Sequence, residues 1–389
     1  MSQLPLLNND TDISDIFPET TKHEQIIYLP KSEWDVYYST KNKWPYMIIQ
    51  QLGPQTGMTQ PGQDFVQREN RPDPFMPDPA IPQEYSLTLA DYENYKKYGG
   101  SPGHNAPAAH HKTSIPINNE TYLFSNITPQ EIVFNAGSWV ILENWVKVVA
   151  KNPMLTKTFC ITGSIPAPFD SQFGDSQINI PTHMYKILFT RAKPDRAPPH
   201  LVKFAGTTLY VACFLYPNIP INPIPKNTDI WRYMVTLDEL SAKTRINYLP
   251  IFEKKTGFNP KPPANQRLMN LSKLFPIRFN ISEDLQVQMA KALMYGALIY
   301  SADMSDLEYA WAKVESLAPK FRNLKFHREY YDLAKERITN GEQVRIPHMD
   351  DTTALFLSRS NSNSTKTNNR SKTKKTTTKQ STKNPSNTK

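Results

Sequence analysis

The sequence predicts an α+β fold in which a body rich in short strands is followed by a helical region. Three observations support this class. Apolar runs of strand length recur between residues 26 and 215 and are separated by turns rich in Pro and Asn. An amphipathic helical pattern interrupts them at 135–151, and a second helical region follows at 282–340. Strands and helices that occupy separate blocks are typical of α+β proteins.

The composition excludes several classes of protein. The chain has 389 residues, of which 39% are hydrophobic, and this is enough apolar material for a packed core. Two cysteines cannot build a disulfide framework, and no Cys/His spacing matches a zinc site. The start lacks a secretory pattern, and no apolar run approaches the ~20 residues that span a bilayer. We therefore expect a soluble intracellular protein with no membrane partner, either nuclear or cytoplasmic.

The net charge of +9 is concentrated at one end of the chain. Residues 358–389 contain seven lysines and two arginines and no acidic residue, so the remaining body is formally neutral. Because this tail consists mainly of Ser, Thr, Asn and Lys, we expect it to be disordered. Its uncompensated cations would bind a nucleic-acid backbone without sequence preference, and a solubilising role is the alternative.

The pattern divides the chain into four parts. Residues 1–25 form a flexible N-terminus, 26–256 the main folded domain, 257–357 a Pro-rich connection with a helical extension, and 358–389 the tail.

Capping signals predict three helices in the extension. Ser282 opens the first, which runs to about Tyr300. Ser305 and Glu308 form a capping box for the second, and the third covers about 326–339.

The segment from residue 100 to 143 carries the chemistry. In it, His104 follows a Pro-Gly turn, Asn126 ends a short apolar strand at 121–124, Asn135 starts a helix, and Glu143 lies two turns further along. This set suits a hard divalent cation such as Mg²⁺, which is held by few protein oxygens and keeps several waters. The imidazole would then be available as a base.

Three contiguous motifs resemble the DNA/RNA non-specific endonucleases, the ββα-metal nucleases, and are closest to the endonuclease G branch. Residues 101–108 read SPGHNAPA, against Asp-Arg-Gly-His-x-Ala-Pro-Ala in the family. Residues 122–130 are similar to Tyr-Leu-Ser-Asn-x-x-Pro-Gln, and 135–143 match Asn-x-x-x-Trp-x-x-Leu-Glu. The resemblance covers about 36–256, and the region from 257 onward has no counterpart.

The resemblance implies a ββα-metal nuclease fold with a central antiparallel sheet. It also implies an Mg²⁺-dependent hydrolase of DNA, with RNA as a second substrate, in which Mn²⁺ could replace Mg²⁺. His104 would be the general base and Asn135 the direct metal ligand. Glu143 would hold metal-bound waters, and Asn126 would orient His104 or the water shell. A homodimer is a further implication.

One departure from the family pattern bears on activity. Ser101-Pro102 stands where the family has Asp-Arg, and the missing Arg would ordinarily stabilise transition-state charge by about 3 kcal/mol. Four cations, Lys96, Lys97, Lys112 and Arg71, are near enough in sequence to take its place, and we expect Lys112 and Arg71 to bind substrate. The alternative function is therefore a catalytically impaired, nuclease-derived protein that binds nucleic acid. A purely structural role is a third hypothesis.

Other conspicuous side chains have ordinary interpretations. Adjacent side chains diverge, so we interpret His110-His111 as part of a solvated loop rather than as a metal pair. A substrate contact by His111 is the minor alternative. Trp139 and Trp145 lie at helical spacing, which predicts core positions rather than platforms for stacking bases.

Overall fold

The computed structural model describes most of the chain between residues 13 and 342. The described ranges are 13–18, 25–53, 75–167, 172–173, 177–193, 195, 208–220, 229–258, 267–271, 282–321 and 323–342. Arg71 and the basic tail 358–389 lie outside them, as do most of the predicted flexible N-terminus and of the Pro-rich connection.

A large antiparallel sheet forms the centre of the fold, as the family resemblance implied. The described strands are β1 (Ile26–Pro30), β2 (Trp34–Ser39), β3 (Trp44–Leu52), β4 (Gly100–His104), β5 (Ile127–Glu131), β6 (Leu155–Ile165), β7 (Gln172–Phe173), β8 (Ile178–Asn179), β9 (His183–Ala192), β10 (Thr208–Pro217), β11 (Met234–Val235) and β12 (Arg267–Asn270). In the central sheet they follow in the order β1-β2-β3-β6-β9-β10-β11, and β12 runs parallel beside β10. Two further pairs, β4 with β5 and β7 with β8, lie outside this sheet.

Both faces of the sheet are covered, which explains why its central strands are buried along almost their whole length. Successive residues of β10 alternate between two core clusters: Val211 and Cys213 belong to one, and Ala212 and Phe214 to the other. This alternation follows from the period of two in an extended strand. The predicted helix at 135–151 supplies the second cluster, and its Trp139 and Trp145 are buried there as expected.

The helices pack on the sheet and, in the extension, on one another. None of the described helices is long and apolar enough to cross a membrane. They are α1 (Ile13–Ile16), α2 (Leu89–Lys96), α3 (Ile115–Glu120), α4 (Val140–Ala150), α5 (Leu237–Thr244), α6 (Leu249–Thr256), α7 (Glu283–Ile299), α8 (Met304–Leu317) and α9 (Lys325–Thr339).

All three predicted helices of the extension are confirmed, but one predicted cap is wrong. Ser282 caps α7 by accepting a hydrogen bond from the Leu285 amide (3.2 Å). The cap of α8 is Asp303, whose carboxylate accepts from the backbone amide of Asp306 (2.9 Å). Asp303 is an equally good capping residue two positions earlier, so Ser305 falls inside the first turn instead of before it.

Two local predictions in the segment that carries the candidate site residues are also wrong. The strand expected at 121–124 is absent, because Ser114 caps α3 and a short 3₁₀ turn, Phe124–Asn126, follows before β5 begins. His104 does not follow a turn; it ends strand β4, which pairs with β5. Pro102 is tolerated in this strand because a two-stranded ribbon consists of edge strands, where a missing amide costs little.

Candidate active site

The β4–β5 ribbon places His104 at its end, opposite Ile127. The imidazole is half-buried, and its centroid lies 5.2 Å from the ring of Phe75 and 5.2 Å from that of Tyr122. The Tyr122 ring is nearly perpendicular to the imidazole, an edge-to-face arrangement that aromatic pairs favour. The two rings therefore restrict the orientation of the predicted base.

Asn126 is fully buried, and its side-chain amide forms hydrogen bonds with the backbone of two residues, Ala106 and Thr121. Its Oδ1 accepts from the Ala106 amide (2.8 Å), and its Nδ2 donates to the carbonyls of Ala106 (2.9 Å) and Thr121 (2.7 Å). The structure thus brings Asn126 to the segment that directly follows His104. Among the described residues, the hydrogen bonds of its side chain go to this backbone and not to the imidazole, so its effect on the base would act through the loop.

Asn135 is half-exposed and is held by a two-step hydrogen-bond chain. Its Nδ2 donates to Ser101 Oγ (2.9 Å), and the Ser101 hydroxyl donates to the Gln130 carbonyl (3.1 Å). Because the hydroxyl has one proton, which goes to Gln130, its oxygen must accept from Asn135, and this fixes which way the amide points. Among the described residues, Asn135 Oδ1 accepts no hydrogen bond. An oriented amide oxygen is a ligand type that suits Mg²⁺.

A π-helical segment, Phe134–Trp139, sets the register between Asn135 and Glu143. In a regular α-helix, eight residues at 3.6 per turn would place two side chains about 80° apart. The wider π-turn adds about one residue, so the separation is equivalent to seven residues and the angle falls to about 20°. Asn135 and Glu143 therefore follow one face of the helix, two turns apart. Such π-segments are frequent at functional sites.

Glu143 lies beside a buried cation. Burial raises the pKa of the Glu143 carboxyl to about 7, and the nearby Lys186 ammonium opposes this rise. Lys186 on β9 is 1% exposed, donates to Thr162 Oγ1 (2.8 Å), and lies over the Trp139 ring (4.4 Å to its centroid). Sequence reasoning assigned Lys186 no role at the site. Its signal was a lysine between apolar and aromatic neighbours, Met184 and Tyr185 before it and Ile187 after it.

The interpretation of His110-His111 as a solvated loop is wrong, because both side chains are buried. Asn118 Nδ2 donates to the carbonyls of Ala108 (2.9 Å) and His111 (2.8 Å), which draws this turn into the protein. The two rings diverge, as expected for adjacent residues. His111 contacts Glu33 and Gln50, whereas His110 bonds to the backbone carbonyl of Glu143. Burial keeps the pKa of His110 well below its ordinary value.

Only Lys112, of the two predicted substrate-binding cations, belongs to the residues that the structure describes. Lys112 is 9% exposed, so most of its side chain packs within the protein, and Arg71 lies outside the described residues. Pro102 lies on the same face of β4 as His104, because residues two positions apart in a strand point to the same side. The position at which the family carries Arg is therefore on the side of the base, and in this chain it holds no charge. The contacts of Lys112 and Arg71 with substrate stay predictions.

The residues present fit a hydrated hard cation. Among the described residues, no group of three or more His, Cys, Asp and Glu side chains is placed to hold a metal. A single oriented amide with a carboxylate on the same helix face is instead the donor set of an ion that keeps most of its waters. Gln130 supports this: it is fully buried, neither of its amide atoms has a partner among the described residues, and it packs against Gly103, next to His104. Water around a cation would satisfy such an amide.

Known nucleases share this part of the sequence. The chain is 28% identical over 196 residues to the mitochondrial nuclease EXOG of Xenopus laevis, an alignment that covers 48% of this chain and 50% of that protein. It is 30% identical to nuclease C1 of Cunninghamella echinulata var. echinulata, covering 47% of this chain and 68% of that enzyme. The chain thus spans about half the length of the EXOG relatives. A crystal structure of the EndoG/EndoGI complex aligns with 59% of this chain and 88% of its own at 20% identity and a TM-score of 0.48.

The sequence model of the DNA/RNA non-specific endonucleases matches residues 14–253, which is more than half of the chain and contains all the motifs described above. Helices α7–α9 lie beyond the match. The chain therefore belongs to the DNA/RNA non-specific endonuclease family.

Proposed function

We propose that this chain is a divalent-metal-dependent nuclease that hydrolyses phosphodiester bonds of DNA, and of RNA, without sequence specificity. Membership of the family supports the reaction class. The observation that carries the proposal is the fixed amide of Asn135, which Ser101 ties to the strand that ends in His104. The predicted metal ligand and the predicted base thereby belong to one hydrogen-bonded unit.

His104 would take the proton from the attacking water. An imidazole suits this step because its ordinary pKa is close to neutral, so it is an effective base without strong perturbation. The rings of Phe75 and Tyr122 restrict its orientation, and Asn126 fixes the loop that follows it. A base held in this way loses little entropy when the water is aligned with the phosphate.

Asn135 would hold Mg²⁺, or Mn²⁺ in its place. When bound, the ion supplies positive charge at the scissile phosphate and at the leaving oxygen. Glu143 follows the same helix face and would accept hydrogen bonds from waters around the ion, and Lys186 keeps its carboxylate ionised more readily than burial alone would allow. A neutral amide ligand also avoids repulsion of the anionic phosphate.

Ser101 and Pro102 stand where the family has Asp-Arg, and they differ in what they offer to the site. Ser101 Oγ accepts from Asn135 Nδ2, so a neutral group orients the proposed metal ligand. Pro102 provides no cation on the His104 face, so transition-state charge must be met by another group, for which Lys112 and Arg71 are the candidates. This replacement also motivates the second function, a catalytically impaired protein that binds nucleic acid.

Nicking of supercoiled plasmid distinguishes these functions. We expect nicking with Mg²⁺ or Mn²⁺, none with EDTA, and loss of nicking in His104→Ala and Asn135→Ala. The matched control is Asn144→Ala, because Asn144 is another half-exposed amide on the same helix and, among the residues that the structure describes, its Nδ2 bonds to the Val140 carbonyl alone (2.8 Å). Nicking that persists in His104→Ala would contradict the assignment. Plasmid retention in a gel shift without nicking would favour the binding protein.

The basic tail would raise affinity for either nucleic acid. Removal of 358–389 takes away nine cations, so it should weaken plasmid binding and reduce the dependence of binding on salt. A gel shift at two salt concentrations measures both effects. Equal binding by the full and truncated chains would assign the tail a solubilising role instead. The homodimer remains an expectation that sedimentation would test.

A further inference from the structure

Tyr300, at the end of α7, connects the extension to the helix of the candidate site. Its hydroxyl donates to Glu131 Oε1 (2.7 Å), and Glu131 is 4% exposed. The other oxygen of the same carboxylate accepts from the backbone amide of Phe134 (2.7 Å). Phe134 directly precedes Asn135. One buried carboxylate thus joins a residue outside the family match to the first turn of the helix that carries the predicted metal ligand.

The extension packs so closely around this turn that two glycine positions leave no room for a side chain. A Cβ on Gly296 of α7 would lie 2.5 Å from Val133 Cγ2, and a Cβ on Gly99, which has φ +85°, would lie 2.2 Å from the Tyr300 hydroxyl. Contacts this short would force the neighbouring groups to move. The absence of side chains at these two glycines therefore permits Tyr300 to reach Glu131.

The end of α7 that carries Tyr300 is itself fixed by hydrogen bonds to its backbone. The Arg337 guanidinium is 2% exposed and donates to the carbonyls of Ile299 (3.2 Å) and Ser301 (2.6 Å), the residues on either side of Tyr300. Lys96 of α2 forms an ion pair with Glu329 of α9 (2.7 Å). The hydroxyl is thus presented by an ordered end of α7 and does not depend on a freely rotating segment.

We propose that Tyr300 is a positioning residue of the nuclease site, and that the helical extension completes this site rather than forming an independent module. The proposal rests on the proposed function. Glu131 precedes the helix and caps it, since its carboxylate accepts amide protons of the first turn. A buried carboxylate that loses one of its donors leaves an unsatisfied charge, which favours a shift of the group or its protonation. Either response would loosen the cap and displace Asn135.

Tyr300→Phe tests this proposal, with Tyr331→Phe as its matched control. Tyr331 makes the same kind of hydrogen bond, from its hydroxyl to Glu308 Oε1 (2.6 Å), but wholly within the extension. The measurements are kcat and KM for plasmid nicking in Mg²⁺, and hydrogen exchange of the amides of Val133 and Phe134. For Tyr300→Phe we expect about a tenfold fall in kcat with KM nearly unchanged, and faster exchange at both amides. For Tyr331→Phe we expect less than about a twofold change in kcat and no change in exchange at these amides.

Two results would overturn the proposal: equal loss of kcat in both variants, which would indicate general destabilisation of the extension, or wild-type kcat in Tyr300→Phe. Failure of the proposed function is separate, because it would be seen as a wild-type chain that does not nick at all. In that case the exchange measurement still decides the link, since faster exchange confined to Tyr300→Phe supports positioning of this helix and unchanged exchange refutes it.

Discussion

Replacing Ser101 by alanine removes one oxygen that has two partners. Ser101 Oγ accepts from Asn135 Nδ2 (2.9 Å) and donates to the Gln130 carbonyl (3.1 Å), and the residue is 4% exposed. Alanine adds no bulk and keeps the β4 backbone, so the change acts on these two hydrogen bonds. The Asn135 amide can then rotate, and its Oδ1 is no longer aimed by the strand that ends in His104.

The expected magnitudes follow from these contacts. Two hydrogen bonds at about 0.5–1.5 kcal/mol each predict a loss of about 1–3 kcal/mol in the free energy of unfolding. Loss of a group that orients a metal ligand typically weakens metal affinity or activity by about 10–100-fold. We therefore expect the Mg²⁺ concentration for half-maximal nicking to rise by at least about tenfold.

The assay is plasmid nicking over a series of Mg²⁺ concentrations, together with thermal melting. Thr256→Val is the matched control, because the Thr256 hydroxyl on α6 also donates to one backbone carbonyl, that of Phe252 (2.6 Å), and accepts one hydrogen bond, from the Phe258 amide (3.3 Å). The control should melt at a lower temperature but keep the wild-type Mg²⁺ dependence. If Ser101→Ala also keeps the wild-type Mg²⁺ dependence while it melts earlier, the proposed orientation of Asn135 by Ser101 is refuted.

Three further substitutions test other parts of the reasoning. Asn126→Ala should lower the free energy of unfolding by about 3 kcal/mol or more, because it strips partners from the buried backbone of Ala106; denaturant unfolding measures this, and a loss below about 1 kcal/mol would contradict it. Burial lowers the pKa of His327 from 6.5 to about 4, so stability is complete above pH 6.5 and falls by about 2–3 kcal/mol as the pH drops to 4. His327→Phe should lose this part of the pH dependence in melting curves, whereas an unchanged pH profile would count against it. Gly103→Ala should cost about 1–3 kcal/mol, because the new Cβ would lie 2.1 Å from the buried Cδ of Gln130; a melting temperature equal to that of wild type would show that Gln130 moves freely.

Local signals account for the elements that sequence reasoning predicted well. The strands β6, β9 and β10 were visible because each contains an apolar run, as expected where both faces of a strand are buried. The helix at 135–151 was visible from the spacing of its buried residues, and α7 from its Ser282 cap. These features depend on residues a few positions apart, which a sequence displays directly.

The features that were missed depend on partners far along the chain. His110 and His111 are buried because Asn118 folds their turn inward, and His111 then meets Glu33, 78 residues away. Lys186 gains its place at the site through contacts with Thr162 and Trp139 on other elements. Nothing within a few residues of these positions indicates such partners.

The sequence by itself determined the family, the strand-rich body followed by helices, and the set of residues proposed for the chemistry, because the motifs around His104, Asn135 and Glu143 are contiguous. Only the tertiary structure decided that Ser101 orients Asn135, and that the extension reaches the same helix through Tyr300 and Glu131. The physical reason is that motifs record which groups are present, whereas the direction of an amide or the capping of a helix depends on hydrogen bonds between residues that only the folded chain brings together.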